Sequence, residues 1–493
     1  MKNKITLFIL ILIILLASYL RLSGTITNSF AFTYDVGRDM LKVSEIVNLH
    51  KILLIGFTTG VEGIFYGPWW YYILSLPFAL SSGNPQFISA FIALTGIITI
   101  LILFILGKKL EGNTFGLLLA FLVGFSPELI GLSTQIWNPN IAPILIAISL
   151  FLILKIIKNP TPLTFFLFGI ISSLLIDTEI VFGLLLLIGS IIGLLVISKK
   201  TILTKKSLLF FPGFLLILAP RIIFELRHDF LMTKTFFHLL SSQGEASTNI
   251  TIPSIIEKLN IFLGLYAGTI TGRSTTLASI FLVFILIYAF TYYKKIKTET
   301  RKYLLLSSTI TATFIIGIIF FSHDIWPHYL VGLPIYFCLL TAIPLYYATK
   351  KIKSGKIILS LLLFALFWVN IKPIQLVSDL QKPLWEGDAA VYRNQLAVVD
   401  YIYKEAAGKK FEFIAYSPAV FAYPYDYLFS WYGPKKYHYA RSLGHEKLFF
   451  VIIEPDFQHP TLLKDWLKTR EKDGKIIKEQ KVKGGVIVQT REH

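Results

Sequence analysis

The chain has 493 residues, of which 55% are hydrophobic and only 15% are charged, and its mean hydropathy is +0.67. Because soluble domains carry about 25% charged residues, this composition excludes an ordinary soluble enzyme, a disordered protein and a nucleic-acid binder. The net charge of +18 comes from Lys and Arg clusters between apolar runs, a pattern typical of the cytoplasmic loops of polytopic membrane proteins. The single cysteine, Cys338, lies inside an apolar run and excludes a disulfide framework.

The N-terminus is a short basic segment followed by an unbroken apolar run over residues 5–20, which Arg21 closes. A cleaved signal peptide is one interpretation, since the lengths of the basic and apolar regions fit it. No A-x-A-type cleavage site follows the run, however. We therefore predict an uncleaved first span with its N-terminus in the cytoplasm.

Apolar runs of spanning or near-spanning length continue through the first three quarters of the chain. They cover residues 87–106, 114–127, 140–157, 162–177, 180–197, 207–225, 275–293, 303–321, 328–348 and 356–371. Lysine clusters follow every second run, which predicts that these connections are cytoplasmic. The alternate connections, 128–139, 177–179, 226–274 and 322–327, then face outward. With the first span, the sequence predicts eleven crossings.

A further short apolar run, residues 69–80, is interrupted by Pro77. If it crossed the membrane, the lysine clusters would change sides, so we predict that residues 68–82 lie in the interface or re-enter from outside. The pairs Trp69-Trp70 and Tyr71-Tyr72 suit that depth, since Trp and Tyr are enriched at membrane–water interfaces.

The chain divides into a transmembrane domain over 1–371, with its first outer loop at 22–67, and an extracytoplasmic domain over 372–493. In the second part charge density rises, strand-length runs occur at 411–416, 448–453 and 485–489, and helical patterns occur at 388–406 and 460–471. The predicted fold is a polytopic α-helical membrane protein with about eleven spans, a non-spanning interfacial helix and a small C-terminal α/β domain. The aromatic-rich segment 423–432 is predicted to pack in the core of this domain; alternatively, the domain covers the membrane cavity and helps to select an acceptor.

The first outer loop contains two aspartates that are candidates for chemistry. Asp35 and Asp39 are four residues apart, so on a helix they share a face, with Arg38 beside them. The alternative is an ordinary solvated helix start with Asp35 as the N-cap.

Aromatic and amide side chains form a second set of candidates on the predicted outer side. Tyr66 and Trp69 belong to an aromatic segment that is either an interface belt or a wall for a sugar or lipid. Trp137 and Asn138 precede Pro139 at an outer turn, where Asn138 is predicted to cap a helix that starts with the proline.

Basic side chains form the third set. Arg221 lies near the outer end of a span, where an ionisable residue is a functional candidate because burying it is costly; a helix pair with Glu225 is the alternative interpretation. Arg227, His328 and Tyr329 lie in predicted outer connections, as do Asp177 and Glu179. The histidines at 323 and 328 show no standard ligand spacing, so no metal is expected.

Four features follow one another along the chain: an early outer-loop aspartate, a proline-containing aromatic segment, the basic inner loop 107–109 and then Trp137-Asn138-Pro139. This order resembles that of membrane glycosyltransferases of the GT-C class. The likeness is to glycosyltransferase family 39, the dolichyl-phosphate-mannose–protein mannosyltransferase-like group. It covers residues 1 to about 370.

The resemblance implies roles for several residues. Asp35 matches the family's proposed general base best, with Asp39 second. Tyr66-Gly67-Pro68 stands where many members have His-Pro-Pro, and His328-Tyr329 looks like a later outer-loop element. Metal-dependent relatives carry acids in the second outer loop; residues 135–140 contain none, so again no metal is expected.

The implied function is transfer of a sugar from a polyprenyl-phosphate donor to an acceptor on the outer face of the plasma membrane, without a cofactor. Transfer needs a base for the acceptor hydroxyl and cations for the developing phosphate charge. The expected partners are the lipid-linked donor, membrane lipid and an acceptor that is protein, lipid or polysaccharide. A transporter or flippase of lipid-linked sugars and a non-catalytic scaffold are the alternatives. The candidate substrate-binding residues are Arg38, Tyr66, Trp69, Trp137, Asn138, Arg221, Arg227, His328 and Tyr329.

Overall fold

The computed structural model describes residues 2–242, 251–321, 324–374, 388–418 and 421–492. Up to residue 371 the described chain is almost wholly helical. The helices are α1 (Lys2–Ile26), α2 (Tyr34–Leu49), α3 (Trp69–Ser81), α4 (Pro85–Glu111), α5 (Asn113–Gly124), α6 (Pro127–Ser133), α7 (Ala142–Lys158), α8 (Pro162–Thr178), α9 (Ile180–Ile202), α10 (Phe210–Arg227), α11 (Leu231–Ser242), α12 (Ile252–Ile270), α13 (Thr275–Tyr292), α14 (Thr298–Ile319), α15 (Leu333–Lys350) and α16 (Gly355–Ile371).

Seven helices in the described residues are long and apolar enough to cross a membrane, or eight if the bent pair α5 and α6 forms one span. The apolar helices α8 and α16 are shorter. The eleven predicted crossings correspond to α1, α4, α5, α7, α8, α9, α10, α13, α14, α15 and α16. The polytopic helical fold is therefore confirmed, although length and apolarity alone do not identify every predicted span.

Local sequence explains where the long helices begin and end. At the start of α4, the Asn84 side chain accepts a hydrogen bond from the amide of Gln86, and Pro85 occupies the first turn, where it costs no helical hydrogen bond. Lys108 and Lys109 lie in the last turn of α4, where positive charge complements the helix dipole.

The lysine-rich connections meet at one end of the bundle, which we call the lysine end. The Lys297 Nζ donates to the carbonyl of Leu110 over 2.7 Å, and the Thr300 hydroxyl donates to the Glu111 carboxylate over 2.6 Å. Likewise, the Lys206 Nζ donates to the carbonyl of Pro160 over 3.3 Å. The alternate connections, which include residues 128–139 and 177–179, meet at the opposite end of the bundle. We call this end the site end. The predicted alternation of connections therefore matches the packing.

A buried arginine holds the break between α5 and α6, which are bent by 64°. The guanidinium of Arg21 donates to the carbonyls of Gly124 over 2.8 Å and Val123 over 3.2 Å, at the C-terminus of α5. These carbonyls have no partner within the helix, and the negative end of the helix dipole favours a cation there. The predicted run 114–127 thus ends at a bend.

Helix α3 is 13 residues long, which corresponds to a rise of about 20 Å, and a bilayer core is about 30 Å thick. It packs against α2 and α4 and buries Trp70, Tyr71, Leu74 and Phe78. A helix this short agrees with the predicted non-spanning segment 68–82.

The segment 226–274, predicted as a plain outer connection, contains two helices, α11 and α12. The Lys258 Nζ in α12 donates to the carbonyls of Ile319, the last residue of α14, and Phe321, just beyond it. Only the four residues 271–274 separate α12 from α13. Both ends of α12 thus lie at the site end of the bundle, so α12 leaves the order of crossings unchanged. The sequence missed it because polar residues interrupt its apolar pattern.

The C-terminal domain contains α17 (Tyr392–Ala406), β1 (Glu412–Tyr416), α18 (Tyr423–Tyr437), β2 (Leu448–Ile453), α19 (Pro460–Thr469), β3 (Lys475–Lys481) and β4 (Ile487–Glu492). Its sheet has the order β1-β2-β4-β3, with β1 parallel to β2 and the other pairs antiparallel. The predicted strands and the two predicted helical patterns are all present. Strand β3 and helix α18 were not predicted, because β3 is a polar, fully exposed edge strand and α18 is rich in Tyr and Pro.

The C-terminal domain docks on the first loop of the membrane domain and on the end of α3. Ala31 and Val391 form an antiparallel bridge, and the Trp431 Nε1 donates to the carbonyl of Ser82 over 2.6 Å. Gly37 lies so close to Pro424 of α18 that a Cβ at position 37 would collide with the backbone there. The domain therefore lies directly against α2, the helix that carries the two candidate aspartates.

Candidate functional site

Helix α2 presents its two aspartates in different surroundings. The helix starts after Thr33, whose backbone is extended, so Asp35 lies inside the first turn and is not the N-cap. The interpretation of Asp35 as an N-cap is therefore wrong. Its side chain is 40% exposed, whereas that of Asp39 is 1% exposed.

Arg38 joins the two carboxylates. Its Nη1 lies 2.9 Å from Asp35 Oδ1, and its Nε and Nη2 donate to Asp39 Oδ1 over 2.9 and 2.8 Å. The Trp70 Nε1 donates to the other oxygen of Asp39 over 2.7 Å. The predicted helical spacing therefore does bring the three residues together, with Asp39 enclosed and Asp35 accessible.

Burial raises the pKa of Asp39 to about 6, although the Arg38 guanidinium and the Trp70 hydrogen bond oppose the shift. The desolvation of the buried carboxylate therefore raises its pKa by more than the charge of Arg38 and the hydrogen bond from Trp70 lower it. Asp39 is thus a buried carboxylate whose oxygens are held by Arg38 and Trp70.

A second acidic group centres on Glu179, which lies between α8 and α9 and is buried. The Tyr66 hydroxyl donates to its Oε2 over 2.8 Å, and His328 Nε2 lies 3.8 Å from the same oxygen. Burial raises the pKa of Glu179 to about 7 and lowers that of His328. The sequence placed Glu179 in an outer turn without a site role; its position between two apolar spans was the signal.

Arg221 pairs with Asp177. Its Nη2 lies 3.1 Å from Asp177 Oδ1, and both side chains are buried. Glu225, the alternative partner, instead accepts from the backbone amides of Met232 and Thr233 at the start of α11. The helix-pair interpretation of Arg221 is therefore wrong.

The segment 66–70 connects the acidic groups. The backbone amide of Trp69 donates to Asp177 Oδ2 over 3.2 Å, and its Nε1 donates to the carbonyl of Ile217 over 2.7 Å. Gly67 lies against the Asp177 carboxylate, where any Cβ would collide with it. On the other side, the ring of Phe57 lies 4.7 Å from that of Tyr66 and 4.0 Å from the Arg38 guanidinium.

The remaining predicted residues divide into two sets. Trp137 contacts the His328 ring at 5.2 Å, and Tyr329 contacts it at 4.6 Å, so these three join the Glu179 group. The Asn138 side chain donates to the carbonyl of Thr178 over 2.5 Å; it caps no helix, contrary to the prediction. Arg227 is exposed at the end of α10 and lies outside both groups.

An open cleft of about 450 Å³ lies between α10, α11 and the start of α9. Most of its lining is apolar, and Arg221 lies in its wall. Among the described residues, the Nε of Arg221 has no hydrogen-bond partner. The lining residues are Ile64, Ile180, Leu218, Arg221, Ile222, Glu225, Leu226, Phe230, Met232, Thr233 and Phe236.

Metal ligands do not cluster in the part of the chain that the structure describes, where no three His, Cys, Asp or Glu side chains could hold one ion. His323, one of the two histidines considered from the sequence, lies outside the described residues.

Solved structures share this architecture. The crystal structure of ArnT from Cupriavidus metallidurans in the apo state matches with a TM-score of 0.59 at 10% identity, over 99% of this chain and 98% of that chain. The crystal structure of ArnT bound to undecaprenyl phosphate gives 0.58 at 10% identity, over 98% and 97% of the two chains. The archaeal oligosaccharyltransferase AglB from Archaeoglobus fulgidus gives 0.47 at 14% identity, over 90% of this chain and 62% of that chain.

No family model matches the chain, and no curated protein matches it. The predicted GT-C likeness is confirmed as a fold, whereas family 39 in particular is not supported. Together, the apolar helices, the small C-terminal sheet and the match over nearly the whole chain identify a multi-pass helical membrane protein with the fold of the GT-C membrane glycosyltransferases.

Proposed function

We propose that this protein transfers a sugar from a polyprenyl-phosphate donor to an acceptor hydroxyl. The observation that carries the proposal is the apolar cleft with the buried guanidinium of Arg221 in its wall. A polyprenyl phosphate combines a long apolar chain with one anionic group, and the cleft offers a surface for each. The structural likeness to ArnT, which was crystallised with undecaprenyl phosphate, supports this donor class.

Arg221 is the proposed phosphate partner. Its Nη2 pairs with Asp177, while its Nε is without a hydrogen-bond partner among the described residues. Arginine binds phosphate through parallel N–H bonds, and such bonds are stronger in a low-dielectric site than in water. Asp177, held by the backbone of Trp69, keeps the guanidinium in place.

Arg227 and His328 have weaker support as phosphate partners. The Arg227 side chain is exposed at the end of α10, where solvent screens its charge. Burial lowers the pKa of His328, so at neutral pH the imidazole contributes a hydrogen bond and no full charge. We therefore assign the main phosphate contact to Arg221.

Asp35 is the proposed general base. The acceptor oxygen attacks the anomeric carbon, the bond from that carbon to the phosphate oxygen breaks, and the polyprenyl phosphate leaves with the electron pair. The acceptor proton passes to the Asp35 carboxylate, which is accessible, whereas Asp39 is enclosed. Asp39 and Trp70 fix the Arg38 guanidinium, which in turn orients Asp35.

The donor site is tested by measuring binding of undecaprenyl phosphate to the purified protein in nanodiscs. Because Arg221→Gln alone leaves Asp177 buried without its cation, the decisive variant is Arg221→Gln with Asp177→Asn, which removes both charges and keeps a polar amide at each position. We expect this double variant to fold normally and to bind at least about tenfold more weakly. Arg227→Gln is the matched control and should change binding by less than about threefold. Unchanged binding in the folded double variant would overturn the proposed donor site.

The proposed outer-face activity requires the lysine end of the bundle to face the cytoplasm of a plasma-membrane protein. The orientation is tested by cysteine labelling from outside intact cells. Lys108→Cys, at the lysine end, should not react, whereas Gln458→Cys, which is exposed in the C-terminal domain, should react. The native Cys338 is buried and gives little background. Labelling of position 108 alone would reverse the orientation.

A further inference from the structure

We infer that the acceptor is a carbohydrate, and that its sugar ring binds an aromatic surface shared by α2 and the C-terminal domain. The inference rests on the proposed transferase function. The surface, which we call the aromatic platform, consists of Tyr34 at the start of α2 and Phe421 and Tyr423 at the start of α18.

The three rings lie close together. Phe421 and Tyr423 stack with centroids 5.4 Å apart and an interplanar angle of 13°. Tyr34 lies 4.9 Å from Tyr423 and 6.4 Å from Phe421. The platform thus exists only when the two domains are docked, since Tyr34 belongs to the membrane domain.

The platform is open to a ligand. Phe421 is 54% exposed although it is a large apolar side chain, and Tyr34 and Tyr423 are partly exposed. By contrast, other aromatics of α18 are enclosed: Tyr425 and Tyr427 are buried. The prediction that the 423–432 aromatics form a core therefore holds for the latter pair, and the rings at the start of α18 serve a different surface.

Charged groups border the platform. Asp35 follows Tyr34 directly, and its carboxylate pairs with Arg38. On α18, Asp426 lies one turn beyond Tyr423 and pairs with Arg441 over 3.3 Å. These carboxylates and guanidiniums are hydrogen-bonding groups at the rim of an exposed aromatic surface.

A sugar matches this combination. One face of a pyranose ring presents C–H groups that pack against flat aromatic rings, while its edge carries hydroxyls that hydrogen-bond to carboxylates and guanidiniums. An acyl chain would contact the rings but offers no hydroxyl to hydrogen-bond with the charged groups at the rim. The platform also adjoins Asp35, the proposed base, so a sugar on the rings places a hydroxyl near the carboxylate that takes its proton.

The test uses the full-length protein in nanodiscs preloaded with undecaprenyl phosphate. Chitotriose, mannotriose and cellotriose serve as probes, and saturation-transfer NMR reports which ring protons contact the protein. A Ser/Thr-rich unglycosylated peptide is the competing probe. We expect saturation of at least one trisaccharide, and a signal about tenfold weaker in Phe421→Ala and Tyr423→Ala.

Three further variants serve as controls for correct folding: two conservative substitutions in the platform and one aromatic substitution far from it. Phe421→Tyr and Tyr423→Phe keep the rings and should keep the signal. Phe457→Ala removes a ring that is 91% exposed elsewhere on the domain and should change nothing. Binding of undecaprenyl phosphate, measured in the same samples, should be unaffected in every variant.

The inference would be overturned by binding of the peptide with none of the sugars, or by sugar binding that is unchanged in Phe421→Ala and Tyr423→Ala. Absence of any sugar signal would also reject it. If undecaprenyl phosphate fails to bind as well, the proposed function itself is wrong, so the two failures are distinguishable.

Discussion

Two aspartate–arginine pairs lie at the site end of the molecule, and they are built differently. Arg38 and Asp39 are neighbours on one helix, and Trp70 completes a closed set of hydrogen bonds around Asp39. Arg221 and Asp177 come from two helices and share one contact of 3.1 Å, with the Nε of Arg221 unpaired among the described residues. The first pair is therefore suited to a structural role. In the second pair, the guanidinium of Arg221 can still donate a hydrogen bond to a ligand.

The closed pair should be costly to break. Arg38→Gln leaves Asp39 buried without its cation, and removal of one partner of a buried ion pair typically costs about 3–5 kcal/mol. We expect thermal unfolding of the detergent-solubilised protein to show that Arg38→Gln lowers the free energy of unfolding by this amount. The exposed pair Lys468–Asp465 provides the control, because Lys468→Gln should cost less than about 1 kcal/mol. A small loss in Arg38→Gln would mean that the Asp39 group does not support the fold.

The Glu179 group predicts a pH dependence. The pKa of Glu179 is raised from its ordinary value of 4.5 to about 7, so the unfolded chain loses this proton first as pH rises. Stability should therefore fall between about pH 4.5 and 7 and level off above, with a contribution on the order of 3 kcal/mol. Glu179→Gln should make that decline shallower, while the raised pKa of Asp39 still lowers stability as pH rises toward about 6.

His328, Tyr66 and Tyr329 are the titratable neighbours of Glu179. Burial lowers the pKa of His328, which favours its neutral imidazole. Unfolding curves at pH 4.5, 6 and 8 measure the slope. An identical slope in Glu179→Gln and the parent protein would contradict the raised pKa.

The difference between the accessible and the enclosed aspartate can be tested by amide substitution. Asp35→Asn should bind undecaprenyl phosphate normally and lose transfer at least about a hundredfold, which corresponds to about 2.7 kcal/mol of barrier. Asp39→Asn should lose less, because it acts through Arg38. Turnover is measured as release of polyprenyl phosphate in membranes that contain the native acceptor.

If Asp35→Asn turns over while folded Asp39→Asn does not, the base is Asp39, four residues along the helix. If both variants turn over normally, the transferase proposal loses its base and the transporter alternative gains.

The open pair should respond to its backbone neighbour. In Gly67→Ala, a Cβ would collide with the Asp177 carboxylate, so we expect displacement of Asp177 and a loss of about 1–3 kcal/mol in stability. Gly131→Ala is the matched control, because nothing lies within 4 Å of its Cβ position. Weaker binding of undecaprenyl phosphate in Gly67→Ala would show that Asp177 positions Arg221; equal stability of the two variants would contradict the close approach.

Predictions that rest on local sequence patterns agree well with the structure. The apolar runs mark helices, the lysine clusters mark one end of the bundle, and the spacing of Asp35 and Asp39 places them on one face beside Arg38. Helix α12 and strand β3 were missed because polar residues break the apolar period of the first, and the second is exposed at every residue. Neither has the burial pattern on which such predictions depend.

The contacts that build the site are of long range. The Tyr66–Glu179 bond joins residues 113 positions apart, and Arg221 finds Asp177 rather than Glu225, its neighbour one helical turn away. No local pattern distinguishes these partners, because the choice depends on which helix ends meet. The same holds for Asn138, whose side chain binds the carbonyl of Thr178 instead of capping a helix.

The sequence by itself determined that the protein is a multi-pass helical membrane protein with a small α/β domain, since hydropathy and helical periodicity are local properties of the chain. Only the tertiary structure decided which aspartate is accessible, which carboxylate pairs with Arg221, and that Tyr34 shares a surface with Phe421 and Tyr423. Burial, desolvation and ring contacts depend on packing between distant segments, and the docking of α18 on α2 sets them at the proposed site.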